Sequence, residues 1–151
     1  MRRKDREMPE EFGLEIIDRC RYGVAAMTDA EGAPYAVALN LVRDGETLYF
    51  HCAAEGKKTE ALRKDPRLCI SFVGSDQPLK DKFTTLFESA VVRGKASMVE
   101  DEAEKIHALR LLCEKLTPAN MPSFDEAVER SLARTAVWRV SMEEVTAKRK
   151  N

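Results

Sequence analysis

Between Tyr22 and Ala53 the chain reverses twice over short, alternating apolar runs, and this constrains the fold more than any other feature. Tyr22–Thr28 is an apolar run closed by Asp29-Ala30-Glu31-Gly32, a turn composition. Pro34–Val42 follows and ends in Arg43-Asp44-Gly45-Glu46, whose Asp-Gly pair favours a tight hairpin. Thr47–Ala53 completes a β-meander at hairpin spacing.

The rest of the chain is read against that meander. Pro9 opens a helix running to about Arg21, with Phe12, Ile16, Ile17 and Cys20 on one face. A short helix over Gly56–Lys64 stops at Asp65-Pro66, because the residue before proline is pushed out of helical geometry. Leu68–Val73 reads as a fourth strand and Gly74–Lys82 as a polar loop. Thr84–Val99 is a long strand bent at Gly94. Asp101 caps a helix, with Glu104 at capping-box spacing and Ile106, Leu109, Leu112, Cys113 and Leu116 on its apolar face. After a proline-containing break at Thr117–Ser123 come a short helix over Phe124–Leu132 and a sixth strand over Thr135–Val145. The order suggests one mostly-β domain over residues 1–151, an antiparallel barrel with flanking helices, although the pattern alone leaves an α+β sandwich open.

Composition narrows the function classes. A chain of 151 residues, 44% of them hydrophobic, can bury a core without disulfide staples. The formal charge of −1 names no partner. No apolar run reaches the ~20 residues of a membrane-spanning helix, and the charged start lacks an export signal, so a cytoplasmic, membrane-free protein is expected. Cys20, Cys52, Cys69 and Cys113 form no Cys-x-x-Cys pair, so neither zinc nor any other metal is expected. The cysteines read as small buried hydrophobes in a reducing compartment. Arg2, Arg3, Lys4 and Arg6 admit a nucleic-acid arm, but Asp5 and Glu7 dilute it and no aromatic lies beside it. A charged tail packing across a dimer is the plainer reading, and no nucleic acid is expected.

Two strands hold the candidate site. In Pro34–Val42, Tyr35, Val37, Leu39 and Leu41 face one way, while Ala36, Ala38 and Asn40 face the other. The alanine face admits a flat ring or, more commonly, a closely packed strand or helix. In Thr47–Ala53, Leu48, Phe50 and Cys52 face the interior, leaving Tyr49 and His51 outside, where a ligand or second subunit would cover them. A lone strand histidine is more often packed than catalytic, yet its pKa near neutrality suits proton exchange. Lys57 and Lys58 then stand at a helix N-terminus, against the macrodipole. A bound phosphate would resolve that conflict, with Gly56 allowing close approach; a solvated basic loop is the rival reading.

In the order Arg2-Arg3-Lys4-Asp5-Arg6-Glu7, Tyr49-Phe50-His51, Gly56-Lys57-Lys58, Glu88 to Ala96, Val137 to Val140 and Glu143 to Thr146, the chain resembles the pyridoxamine 5′-phosphate oxidase-like superfamily of FMN-binding split barrels. Within it, the chain is most similar to the 5-nitroimidazole-resistance branch. The resemblance implies a six-stranded, antiparallel, Greek-key-like split barrel. It also implies a homodimer with two FMN sites built from both subunits. It places Lys57 and Lys58 at the FMN phosphate, and Ala38, Asn40 and Phe50 on strands beside the ring. It places Glu88 and Ser89 on a segment reaching the ring from the partner. It places His51 beside the cofactor as the catalytic candidate and Trp138 near the site, where a packed tryptophan is the equal alternative.

The implied activity is an FMN-dependent oxidoreductase, passing electrons from NADH or NADPH to a small acceptor such as a nitroimidazole. A non-catalytic flavin carrier or sensor is the alternative. A pyridoxamine 5′-phosphate oxidase proper is disfavoured, because Arg-Leu-x-Pro is replaced by Thr146-Ala147-Lys148-Arg149-Lys150-Asn151.

Overall fold

The computed structural model describes residues 2–151. The elements run in order β1 (Glu7–Met8), α1 (Glu10–Arg19), β2 (Tyr22–Thr28), β3 (Pro34–Asn40), β4 (Val42–Asp44), β5 (Thr47–Ala53), α2 (Lys57–Lys64), β6 (Arg67–Pro78), β7 (Thr85–Met98), α3 (Glu102–Leu116), α4 (Phe124–Ser131) and β8 (Thr135–Lys150). Strand pairing follows β3-β2-β6-β7-β8-β5-β4, with β1 added to β8, and every pair is antiparallel. The first and last strands of that order, β3 and β4, are consecutive in the chain and separated only by buried Leu41. A sheet whose two ends are joined by one residue must curl on itself, so the architecture is a split barrel. The six expected strands are all present, the second broken at Leu41 into β3 and β4, and β1 is an addition.

Alternation fills the barrel. Leu39, Leu48, Phe50, Leu68, Ile70, Phe72, Ala90, Val92 and Val140 point inward and are almost fully buried. Ile16 and Ile17 of α1 join the same core. Gly13 lets that helix approach, since a Cβ there would lie 3.0 Å from Val145 Cγ1 and 3.3 Å from Ala147 Cβ. A second core lies outside the barrel, where Ala108, Leu109 and Leu112 of α3 and Phe124 of α4 cover Val42, Tyr49, Val99 and Val137.

Three local expectations are corrected. Residues 74–82 are not a loop. β6 continues to Pro78 past a register shift between Val73 and Ser75, and only 79–84 form the turn. Polar composition there marks an extended β6–β7 hairpin, three-stranded as far as Phe87 where β8 pairs with it, with fully exposed Phe83 near its tip. β8 runs to Lys150 rather than Val145, because its polar end pairs with both β7 and β1. The capping box is half formed: Asp101 accepts from Glu104 N–H at 2.8 Å, but the Glu104 carboxylate is drawn away to Arg139 and Tyr49.

Candidate functional site

β5 carries His51 on its outer face, opposite Val137 of β8. Its neighbour on that face, Tyr49, is covered by α3 of the same chain rather than by a ligand. Tyr49 Oη donates to Glu104 Oε1 at 3.0 Å, and Arg139 Nη1 donates to both Glu104 oxygens at 2.9 and 2.8 Å. Burial, then this hydrogen bond, push the phenol up to about 12, so Tyr49 is a neutral strut. His51 lies beyond that cover and is exposed.

Desolvation by its surroundings, then the nearby Lys58 ammonium, lower the His51 pKa below its ordinary value. The imidazole is therefore neutral at pH 7 and able to accept or relay a proton. The sign follows from linkage. The unfolded chain takes up the proton more readily, so the contribution of His51 to stability is complete above the ordinary histidine pKa. It is lost as pH falls through the folded value. Replacing Lys58 with glutamine removes one of the two causes, and the His51 ring protons, followed by NMR against pH, should then titrate at higher pH than in the parent protein.

The lysine pair is split by the fold. Lys57 Nζ sits 3.2 Å from Asp29 Oδ2 and 4.9 Å from the Tyr35 ring centroid, so its charge is already answered. Lys58 has no carboxylate within 4.0 Å among the described residues and is the cation left for an anion at the start of α2. No side chain caps this helix, so its first amide groups remain open. Gly56 has φ +142° and open space where a Cβ would stand.

Ala36, Ala38 and Asn40 lie on the exposed outer face of β3, as their alternation requires. Ala38 stands in a row with Val24 and Ser71, continuing to Val91 and Thr146. This outer face is apolar and uncovered: Tyr22 is 59% exposed, Val24 41% and Val73 64%. Asn40 Nδ2 donates to Arg21 O at 3.0 Å, which fixes its amide at the edge of the face.

The remaining expected residues are sorted by strand parity. Phe50 and Trp138 lie on the inner face: both rings are inside the barrel, stacked at 6.4 Å with 4° between planes, and neither side chain reaches the outer face. Trp138 Nε1 is buried without a hydrogen-bond partner, a cost of ~1–3 kcal/mol. Glu88 and Ser89 face opposite ways. Glu88 pairs with Arg19 beside α1, while Ser89 shares the outer face with its cross-strand neighbour Lys148. Sequence reasoning missed Lys148, although β-alternation out from Ser89 would have reached it had β8 been extended.

Separation along β8 completes the geometry. Val137, opposite His51, and Lys148, opposite Ser89, are eleven residues apart, roughly 36 Å at ~3.3 Å per residue. Along this ladder His51 and Ser89 therefore stand toward opposite ends of β8. No three His, Cys, Asp or Glu side chains converge as a metal site among the described residues. No helix among them is long and apolar enough to cross a membrane.

Fold and site together define a split-barrel protein with an uncovered sheet face. The chain belongs to the pyridoxamine 5′-phosphate oxidase family, whose model matches residues 10–149. A candidate 5-nitroimidazole antibiotic resistance protein from Bacteroides thetaiotaomicron is similar at 27% identity and TM-score 0.77, over 94% of this chain and 85% of that one. A flavocytochrome from Azotobacter vinelandii shares the fold at 22% identity and TM-score 0.80, over 95% and 68% of the two chains. An FAD-binding protein from Mesorhizobium loti does so at 20% identity and TM-score 0.71, over 97% and 98%. No curated protein matches the chain.

Proposed function

We propose that the protein is a homodimeric FMN-dependent oxidoreductase of the cytoplasm, taking electrons from a nicotinamide donor and delivering them to a small acceptor such as a nitro compound. The observation that carries this reading is the uncovered outer face of β3, β2, β6 and β7, with Ala36 and Ala38 at one edge and Tyr22, Val24 and Val73 across it. An apolar sheet face of this kind is an expected docking site for a second copy. Such a copy would carry its own Ser89 toward this face from outside the chain.

The residues present fit a flavin nucleotide. Alanine Cβ atoms let a planar ring lie against β3. Lys58, the uncapped start of α2 and the open space at Gly56 suit the phosphate. Flavin is also the group named for the Azotobacter and Mesorhizobium relatives. When bound, FMN supplies the electron-transfer chemistry. The chain's own part is to hold the ring edge with Asn40, exclude water with Tyr22 and Val24, and relay a proton toward the acceptor through the neutral His51 imidazole.

The visible spectrum of the purified protein, before and after FMN addition, tests the reading. A flavin spectrum from which FMN is extracted is the expected result. A colourless protein that takes up no FMN through a titration overturns it. Because the structure divides the two lysines, Lys58→Ala should weaken FMN binding roughly ten- to a hundredfold, the scale of one lost charge-assisted hydrogen bond. Lys57→Ala should do much less, since that ammonium serves Asp29. Equal losses from both would return Lys57 to the phosphate site.

A further inference from the structure

Where β1 pairs with the end of β8, the outer surface gathers positive charge that the reading above does not use. A concavity of about 410 Å³ is lined there by Arg3, Asp5, Arg6, Met8, Arg149, Lys150 and Asn151. Four cations face one side-chain carboxylate. That carboxylate is already taken: Arg3 Nε and Nη2 donate to Asp5 at 2.7 and 2.5 Å, and Arg6 Nε lies 3.9 Å from it. The Arg3 hydrogen bonds hold Asp5 down at about 2. Arg149 lies over the Phe12 ring and Lys150 contacts Thr84, so neither has a carboxylate within 4.0 Å among the described residues. Arg6 lies over Phe87.

Register ties this concavity to the proposed site. Lys150 stands opposite Phe87, two residues along β7 from Ser89 and its partner Lys148, ~7 Å away at the strand rise. Ser89, Phe87, Lys148 and Lys150 share the outer face. Two further acids border it: Glu7 across β1 from Lys148 and Asp76 across β6 from Phe87. Neither comes within 4.0 Å of a cation there, and the balance of the surface remains positive.

We infer that this concavity binds the phosphate groups of the nicotinamide donor, making the electron donor a phosphorylated dinucleotide held by the subunit that contributes Ser89. The inference rests on the FMN reading and goes beyond it, naming which anion the Arg-Lys-rich start and the Lys148–Lys150 end come together to hold. A nicotinamide ring stacked near Ser89 carries its phosphates away along β8 toward Lys150, Arg6 and Arg3. A third phosphate on the adenosine ribose engages surplus cations that NADH leaves unmatched, so NADPH is the favoured donor.

The test is calorimetric titration of FMN-loaded protein with NADP⁺ and NAD⁺. NADP⁺ should bind at least tenfold more tightly, and its affinity should fall as salt is raised. Lys150→Glu and Arg6→Gln should each weaken NADP⁺ tenfold or more, leave NAD⁺ affected less, and leave FMN content and flavin affinity unchanged. Lys150→Arg should retain NADP⁺ affinity. Equal binding of the two nucleotides, or NADP⁺ affinity unmoved by Lys150→Glu, overturns the inference while the FMN reading stands. Failure of the parent protein to take up FMN overturns the FMN reading first, and the spectrum reports it before any titration with nucleotide.

Discussion

Gly94→Ala should be the most destabilising single-methyl change in the protein. Gly94 sits where β7 and β8 shift register, between the Arg93–Glu144 and Gly94–Met142 pairs. A Cβ there would stand 2.1 Å from the Ser141 carbonyl oxygen and 3.1 Å from Val140 Cγ1. The first obstacle is backbone, held by ladder hydrogen bonds on both sides, so no rotamer change relieves it. Overpacking of this kind costs about 3 kcal/mol or more, out of a typical total of ~5–15 kcal/mol. For a domain of this size that lowers the melting temperature by roughly 10 °C. Gly32→Ala is the control: it has φ +85° and nothing within 4 Å of the new methyl, so only backbone strain opposes it, at ~1 kcal/mol. Calorimetric melting that ranks Gly32→Ala as the worse variant would mean the β7–β8 register is not the one described.

That glycine also shows how much of the fold was legible in the sequence. A glycine inside an apolar β run signals a bend or bulge, and a register shift falls there. What alternation could not convey is its partner, because register with Ser141 is a long-range fact. The same division explains the site. Parity along one strand sorted Ala36, Ala38 and Asn40 from Tyr35, Val37 and Leu39 correctly. It also put Phe50 inside, so placing Phe50 beside a cofactor came from the family resemblance against the strand pattern. Tyr49 and His51 share a parity, and only tertiary packing separates them: α3 reaches Tyr49 and stops short of His51. The Lys57-Lys58 pair was legible as charge. Its division was not, since Asp29 is 28 residues upstream in a turn that the barrel brings against α2. The polar ribbon after Val73 was missed because strands with no buried face lose the apolar signal that strand recognition depends on.

Ala38→Glu should leave the barrel folded and abolish both dimer and flavin binding. In one chain Ala38 is exposed on the outer face of β3, opposite Val24. A carboxylate there faces water, and a surface change of this kind alters stability by no more than ~0.5 kcal/mol. The consequence differs if that face is covered by a second copy with a flat ring against it. The carboxylate then loses its solvent without gaining a cation, at several kcal/mol per ion, and two-fold symmetry applies the cost twice. A loss of that size takes an ordinary interface below what micromolar protein can sustain. Light scattering coupled to size exclusion should report a monomer, and FMN affinity should fall at least about a hundredfold, while the far-ultraviolet spectrum of the flavin-free protein stays at its parental shape and its melt stays cooperative, at a temperature lowered only by the loss of the dimer. The pairing of outcomes carries the weight. A monomer that still binds FMN with full affinity would place the flavin on one chain and detach Ser89 from it. A dimer that persists in the Ala38→Glu variant would move the interface off the β3–β2 face, and the uncovered patch of Tyr22, Val24 and Val73 would then belong to some other partner. Only joint loss keeps His51 of one subunit and Ser89 of the other in a single site.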